Sequence, residues 1–342
     1  MPIEFARRHR GTGRQEERRP GTANQWRRLA LALALSLTAS HVVSQSYPAR
    51  PVRLIIPFAP GGGSDILGRM VGQKLAENLG VQVTPDNRPG ASGIIGMDIV
   101  AKSPPDGYTM AIISTGHIVN PSVYRKMPYD TLSDLAPITL VATTSLMITV
   151  PASLPVKSLK ELVALAKRRP GELNYASSGN ASAQHLATEL FKKTAGLNMV
   201  HVPYKGGAPA LVDLVAGQVQ VMFCSPSAMP YVKGGRLRVL AYGSLKRSNV
   251  LPDVPTISES GYTGYEAVEW WGMYAAARTP PAIVGRLNSE IGKILNSPDI
   301  RQRLAEIGFD AAPTSADEFD KFQRVEYAKW GKVAREANIR VD

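Results

Sequence analysis

The chain has 342 residues, 40 Lys and Arg against 28 Asp and Glu for a formal charge of +12, and 44% apolar residues, a composition that excludes wholesale disorder and a collagen-like repeat. Length alone predicts two domains. One short apolar stretch near the N-terminus excludes a polytopic membrane protein, because each span needs about 20 such residues, and the single cysteine, Cys224, excludes a disulfide framework and a cysteine-rich zinc site.

The basic excess is unevenly placed. Residues 1–46 hold eight arginines against three glutamates, a net of +5 that leaves +7 for residues 47–342. That remainder suits an anionic small ligand, and its basic residues are dispersed with few aromatics among them, which argues against a nucleic-acid groove. Trp26-Arg-Arg28 precedes an apolar Leu/Ala run over 29–39, then Ser44-Gln-Ser46 and Tyr47-Pro48. This order predicts a cleaved signal peptide with the cut before Tyr47, and no cysteine stands there to take a lipid. The arginine-rich stem is long for such a peptide, which puts the expected translation start downstream of Met1.

Apolar residues 52–58 predict a buried strand running into Ala59-Pro-Gly-Gly-Gly-Ser64. Asp65 then opens a helix whose stripe of Ile66, Leu67, Met70, Val71, Leu75 and Leu79 stops at Gly80. A strand at 81–84, a loop at 85–93, a helix at 94–102 and a strand at 108–114 follow, the last ending in the turn Ser114-Thr-Gly-His117. Residues 138–150 are apolar, β-branched and too long for one strand of a small domain, which predicts a crossing between domains. The alternation then restarts with helix 158–169, strand 173–176, helix 181–195, strand 199–202, helix 208–216 and strands 219–223 and 237–243. A Pro/Gly/Ser-rich stretch at 251–264 precedes a second crossing at 268–277 and helices near 281–295, 298–307 and 315–336. The pattern predicts an α/β fold of two lobes, residues 47–146 with 272–342 and residues 147–271. Two crossing strands join them, ligands sit beyond strand C-termini, and the cleft closes by hinging.

Three glycines between a strand and a helix let backbone N–H groups approach an anion. Pro60-Gly-Gly-Gly-Ser-Asp65 therefore reads as an anion cradle, or else as a tight turn with Ser64 as N-cap. It has neither the Gly-Lys-Ser/Thr of a nucleotide P-loop nor Gly-x-Gly-x-x-Gly. Ser177-Ser-Gly-Asn-Ala-Ser182 repeats the arrangement with hydroxyl and amide donors, so two helix N-termini across a cleft would suit a carboxylate at each end of a ligand; ordinary capping is the competing reading. His185 and His201 read as structural, and His117, at a strand end, as either a ligand contact or a structural residue. No His-Glu-x-x-His or histidine pair at helical spacing occurs, so neither metal nor cofactor is expected. Without Gly-x-Ser-x-Gly or Ser-x-x-Lys, a hydrolase survives only through Ser64 or Cys224 finding a base in space. Tyr265, Trp270 and Trp271 are either a cleft wall or core.

The motifs Tyr47-Pro-Ala-Arg-Pro-Val-Arg53, Pro57-Phe-Ala-Pro-Gly-Gly-Gly-Ser-Asp65, Asn87-Arg-Pro-Gly-Ala91, Ser103-Pro-Pro-Asp-Gly-Tyr-Thr109, Asn174-Tyr-Ala-Ser-Ser-Gly179, Val202-Pro-Tyr-Lys-Gly206 and Gly217-Gln-Val-Gln-Val-Met-Phe223 span nearly all of residues 47–342. In this order they resemble the Bug family, the extracytoplasmic solute receptors associated with tripartite tricarboxylate transporters. The resemblance implies a type II periplasmic-binding-protein fold and a non-enzymatic periplasmic receptor, with a monomer as the expected state. It also implies a cleft that grips a small organic carboxylate with backbone amides and bridging waters for integral-membrane transporter subunits. Carried over, its contacts would be Phe58, Ala59, Gly62, Gly63, Ser64, Asp65, Ser114, Thr115 and His117 from the first lobe, and Ser178, Asn180, Ser182 and Tyr204 from the second. After Phe223 the family usually has aspartate; here Cys224 is expected to line the cleft and to favour an unsubstituted mono- or dicarboxylate over an amino acid, the competing reading being a buried cysteine packed as a small hydrophobe. A ligand-sensing subunit with the same cleft is the alternative role.

Overall fold

The computed structural model of the chain describes residues 47–341 apart from 249 and 337; the expected signal peptide, residues 1–46, lies outside the described residues. β1 (Val52–Ile56) alternates its side chains between two layers. Val52, Leu54 and Ile56 enter one core with Leu67, Val71 and Leu75 of α1 (Gly63–Leu79), while Ile55 enters the core on the opposite face. Burying each such aliphatic side chain contributes roughly 1.5–3 kcal/mol, so a strand apolar on both faces belongs inside a sheet. β1 accordingly pairs in parallel with β2 (Val83–Asn87) and, beyond α2 (Ile94–Ala101), with β3 (Thr109–Ser114). β2 starts two residues later than its apolar run predicts and includes Pro85, which is tolerated because β2 is an edge strand. The turn expected after β3 is a helix, α3 (Gly116–Val123), disguised by Pro121 within it.

The long apolar passage divides between two sheets. β4 (Leu135–Ser145) belongs to the first sheet and β5 (Met147–Pro151) to the second, with Leu146 between them. The second lobe continues through α4 (Leu159–Arg168), β6 (Asn174–Ser177), α5 (Ala183–Ala195), β7 (Val200–Pro203), α6 (Gly207–Val215), β8 (Val221–Cys224), α7 (Met229–Lys233) and β9 (Leu237–Tyr242). Its strand order is β7-β6-β8-β5-β9, with α4 and α5 covering one face and α6 the other.

The return strand, β10 (Val268–Ala276), inserts antiparallel between β3 and β4. Val268 already pairs with Ser145 in the first sheet, ahead of the expected lobe boundary at 271/272. α8 (Pro281–Asn296), α9 (Pro298–Glu306), β11 (Asp310–Ala311) and α10 (Ala316–Glu336) complete the first lobe, whose strand order is β11-β4-β10-β3-β1-β2. The crossings are tied to each other and to the end of β9 by backbone hydrogen bonds: Gly243 N–H to Leu146 O at 2.7 Å, Ala267 N–H to Gly243 O at 2.8 Å and Leu146 N–H to Ala267 O at 3.4 Å. Two α/β lobes joined by two crossing strands form the expected type II binding-protein architecture. No helix among the described residues is long and apolar enough to cross a membrane.

Candidate functional site

The first cleft loop leaves its helix terminus bare. Gly62 is the extended N-cap of α1, with no side-chain cap. Ser64, the alternative N-cap read from sequence, sits in the first turn, where its Oγ accepts a hydrogen bond from Trp271 Nε1 at 3.0 Å. Gly62 O accepts from the N–H groups of Asp65 and Ile66, each at 3.0 Å. The N–H groups of Gly63 and Ser64 therefore precede the intrahelical ladder, at the positive end of the helix. Asp65 stabilises this loop from behind, accepting from Gly61 N at 3.0 Å, Arg69 Nε at 2.9 Å and Asn87 Nδ2 at 2.9 Å. Burial raises its pKa, but hydrogen bonds from Arg69, Gly61 and Asn87 outweigh burial and hold the carboxyl below its ordinary range. Gly63 is required by packing: a Cβ there would stand 2.7 Å from the Trp271 ring.

The second lobe uses most of its loop donors internally. Ser177 Oγ lies 2.7 Å from His201 Nε2 and donates to Gly179 O at 2.9 Å, Ala181 N–H donates to His185 Nδ1 at 3.1 Å, and Ser182 Oγ caps α5 by accepting from His185 N–H at 3.2 Å. Ser178 N–H is taken by Gln184 Oε1 at 2.7 Å. His185 and His201 stack with ring centroids 3.8 Å apart. Burial first, with nearby positive charge, lowers their pKa values to about 4 and about 3, so both support the loop as neutral rings. The bare terminus in this lobe belongs to α6, whose N-cap is Gly206. A Cβ on Gly62 would lie 3.9 Å from Gly207 N and 4.0 Å from Ala208 N, so two uncapped helix N-termini face each other across the lobes.

Beside this seam is a cavity of about 20 Å³, room for roughly one water; any larger ligand requires the lobes to part. Of the expected contacts, Phe58, Gly62, Gly63, Ser64 and Ser114 line it from the first lobe and Ser178 from the second. Asn180 and Tyr204 line an adjoining space of about 190 Å³ that shares Phe58 and Ser178; the Tyr204 hydroxyl donates to Asp213 at 2.6 Å. A larger cavity, about 300 Å³, is lined by Thr143, Lys246, Arg247 and Asp310 among others and contains none of the expected residues.

The other six expected contacts line neither the 20 Å³ cavity nor the adjoining space, each for a physical reason. Ala59 N–H is engaged across the seam with Lys205 O at 3.4 Å, and Asp65 is turned toward Arg69. Thr115 exchanges hydrogen bonds with the Trp270 backbone, N–H to O and Oγ1 from N–H, both at 3.0 Å. His117 is fully buried between Tyr129 and Tyr274, and burial depresses its pKa to about 3. Ser182 is a helix cap. Cys224 points into the core with Met147, Ala210 and Leu214, where burial first, against a hydrogen bond with Thr149, pushes its thiol up to about 12. The next residue, Ser225, is the one that lines the cavity. Neither hydrolase nucleophile is activated: the partner of Ser64 is an indole N–H, which is no base, and the Cys224 thiol stays protonated. No cluster of potential metal ligands occurs among the described residues.

The sequence reading omitted Gln184, Gly207, Ser225 and Glu269, and left Trp271 between wall and core. A signal existed for two of them. Ser225 directly follows β8, at the end where α/β ligands bind, and Glu269 is the one acid in the otherwise apolar β10. Glu269 is 4% exposed and its Oε2 has no hydrogen-bond partner among the described residues. Burial raises its carboxyl to about 8, against a hydrogen bond from Ser114 that pulls the other way.

Comparison with known proteins identifies the family. Residues 67–339 match the family model described as the tripartite tricarboxylate transporter family receptor. BugT of Bordetella pertussis is 35% identical over 316 residues, covering 92% of this chain and 97% of BugT. The structure of R. palustris Rpa4515 with adipate is 39% identical, with a TM-score of 0.84 over 86% of this chain and 99% of that one. MatC from Rhodopseudomonas palustris with bound malate is 29% identical, with a TM-score of 0.80 over 84% and 99%. The chain therefore belongs to the Bug family of tripartite tricarboxylate transporter receptors, which are solute receptors and not enzymes.

Proposed function

We propose that this protein is a periplasmic receptor that closes its two lobes on a small organic carboxylate and delivers it, as a monomer, to integral-membrane transporter subunits. The observation that carries this reading is the pair of bare helix N-termini, α1 and α6, facing each other beside a closed cavity. Such termini stabilise an anion through backbone N–H groups and the helix dipole, and closure removes the water that competes for those donors. The adipate and malate bound by two relatives support a carboxylate as the ligand class. The bodies that move are residues 47–145 with 268–341, and residues 147–267, turning about Leu146, Gly243 and Ala267. Gly63, Ser64, Ser114, Ser178, Gln184 and Gly207 supply the grip, with Asn180 and Tyr204 reached by a longer ligand. Export follows from cleavage before Tyr47, so the periplasmic form has the mass of residues 47–342.

A thermal-shift series of mono- and dicarboxylates of two to six carbons tests the receptor reading. A true ligand at about 100 times its Kd stabilises the fold by about 2.7 kcal/mol. A melting temperature unmoved by every member of the series would overturn it.

A further inference from the structure

Glu269 is an acid in a pocket built for an acid. It lies on β10 two residues from Trp271, on the same face of the strand, and both side chains line the cavity. It also lies two residues beyond Ala267, whose carbonyl is bonded at the crossing. Its Oε2 is buried in the pocket wall without a hydrogen-bond partner among the described residues, and Ser114 lines the same cavity. We infer that Glu269 contacts the bound ligand as a neutral carboxylic acid, donating its O–H to a ligand carboxylate. The inference rests on the carboxylate-receptor reading and deepens it.

The surroundings favour the neutral form. Every other residue lining the cavity is uncharged. On β4, the strand paired with β10 at this point, Glu269 sits opposite Thr144; Ser114, the last residue of β3, pairs with Trp271 and lines the same cavity. The acid in the first turn of α1, Asp65, is paired with Arg69. His117 of α3 and His185 of α5 are neutral rings. Lys205, in the loop before α6, lines the adjoining space beyond Phe58 and Ser178. Burial opposes ionisation and outweighs the hydrogen bond from Ser114 that favours it, which raises the carboxyl to about 8. A bound carboxylate adds like charge and raises it further. An ionised Glu269 would instead repel a simple carboxylate and would attract a ligand carrying an ammonium group.

Two measurements on the full protein test this, using adipate and the other C2–C6 carboxylates as probes. In calorimetry, wild-type affinity falls about tenfold per pH unit above about pH 8, with close to one proton taken up per ligand at pH 9. Glu269→Gln keeps an N–H donor at every pH, so its profile is flat and it takes up no proton; Glu269→Ala has no donor and binds about tenfold more weakly at pH 6. A wild-type profile flat from pH 6 to 9.5, a slope kept in Glu269→Gln, or affinity for L-glutamate that rises with pH would each overturn the inference. The second measurement needs no ligand. The folded carboxyl holds its proton to about pH 8 while the unfolded one releases it near pH 4.5, so wild-type stability falls relative to Glu269→Gln as pH rises through that window and levels off above it. The melting-temperature gap should widen from pH 4.5 to 8. A constant gap would mean that Glu269 is ionised in the fold. If no carboxylate binds at pH 6, the receptor reading fails, and with it the ligand contact; a widening gap would then leave only a buried neutral acid.

Discussion

The two loops that open the cleft, residues 59–65 and 177–182, look alike in sequence and behave differently in the fold. Both are short, small-residue segments between a strand and a helix. In the first, glycines replace side chains, no side chain caps α1, and the one carboxylate, Asp65, is held away from the cavity by Arg69, Asn87 and Gly61. In the second, Ser177, Ser178, Ala181 and Ser182 all place polar groups on partners within the lobe. A helix start rich in donors is therefore not by itself a binding surface; the donors that are left unpartnered decide. The second lobe supplies its share of the cavity wall from Gln184, Gly207 and Ser225.

The largest expected effect comes from a charge placed in the core just behind this second-lobe wall. Cys224 is 1% exposed in an apolar core, so Cys224→Asp buries an unpaired carboxylate and should cost about 3–5 kcal/mol at neutral pH. Denaturant unfolding should show that loss, and surviving folded protein should keep its ligand preference; a changed preference at unchanged stability would return Cys224 to the site. Next in size, Gly63→Ala drives a methyl into the Trp271 ring. Overpacking of this kind costs about 1–3 kcal/mol, and carboxylate affinity should fall with it as the Trp271–Ser64 hydrogen bond is disturbed. An unshifted melting curve would show that the ring yields freely. The smallest effect is that of Ser182→Ala, which removes a helix cap worth about 1 kcal/mol and should leave carboxylate affinity within twofold. A tenfold weaker affinity would make Ser182 a contact and erase the contrast between the loops.

Legibility in sequence followed how local the determining physics was. β1, its glycine loop and α1 were readable because apolar spacing and glycine punctuation act over a few residues. The divided passage at Leu146 was recognised as too long for one strand. β2 was displaced because Pro85 reads as a terminator, yet an edge strand tolerates it, and edge position is a tertiary fact. α3 was concealed by Pro121. At the site, the loops at strand ends could be located, but not the direction of each side chain. Cys224 and Ser225 are adjacent, and only the pairing of β8 with β5, Cys224 opposite Met147, turns the thiol into the core and leaves the hydroxyl on the cavity. His117 likewise became an interior residue once α3 formed. Glu269 was overlooked because its strand reads as continuous core.

Closure on a carboxylate between α1 and α6 is the central claim, and small-angle X-ray scattering reads it most directly. With the carboxylate that gives the largest thermal shift added to saturation, the radius of gyration of the wild type should fall, and Ser182→Ala should behave the same way. Gly62→Val, whose side chain would enter the space facing Gly207 and Ala208, should fold normally and fail to compact. A carboxylate that binds the wild type tightly while the radius of gyration stays constant would contradict the account.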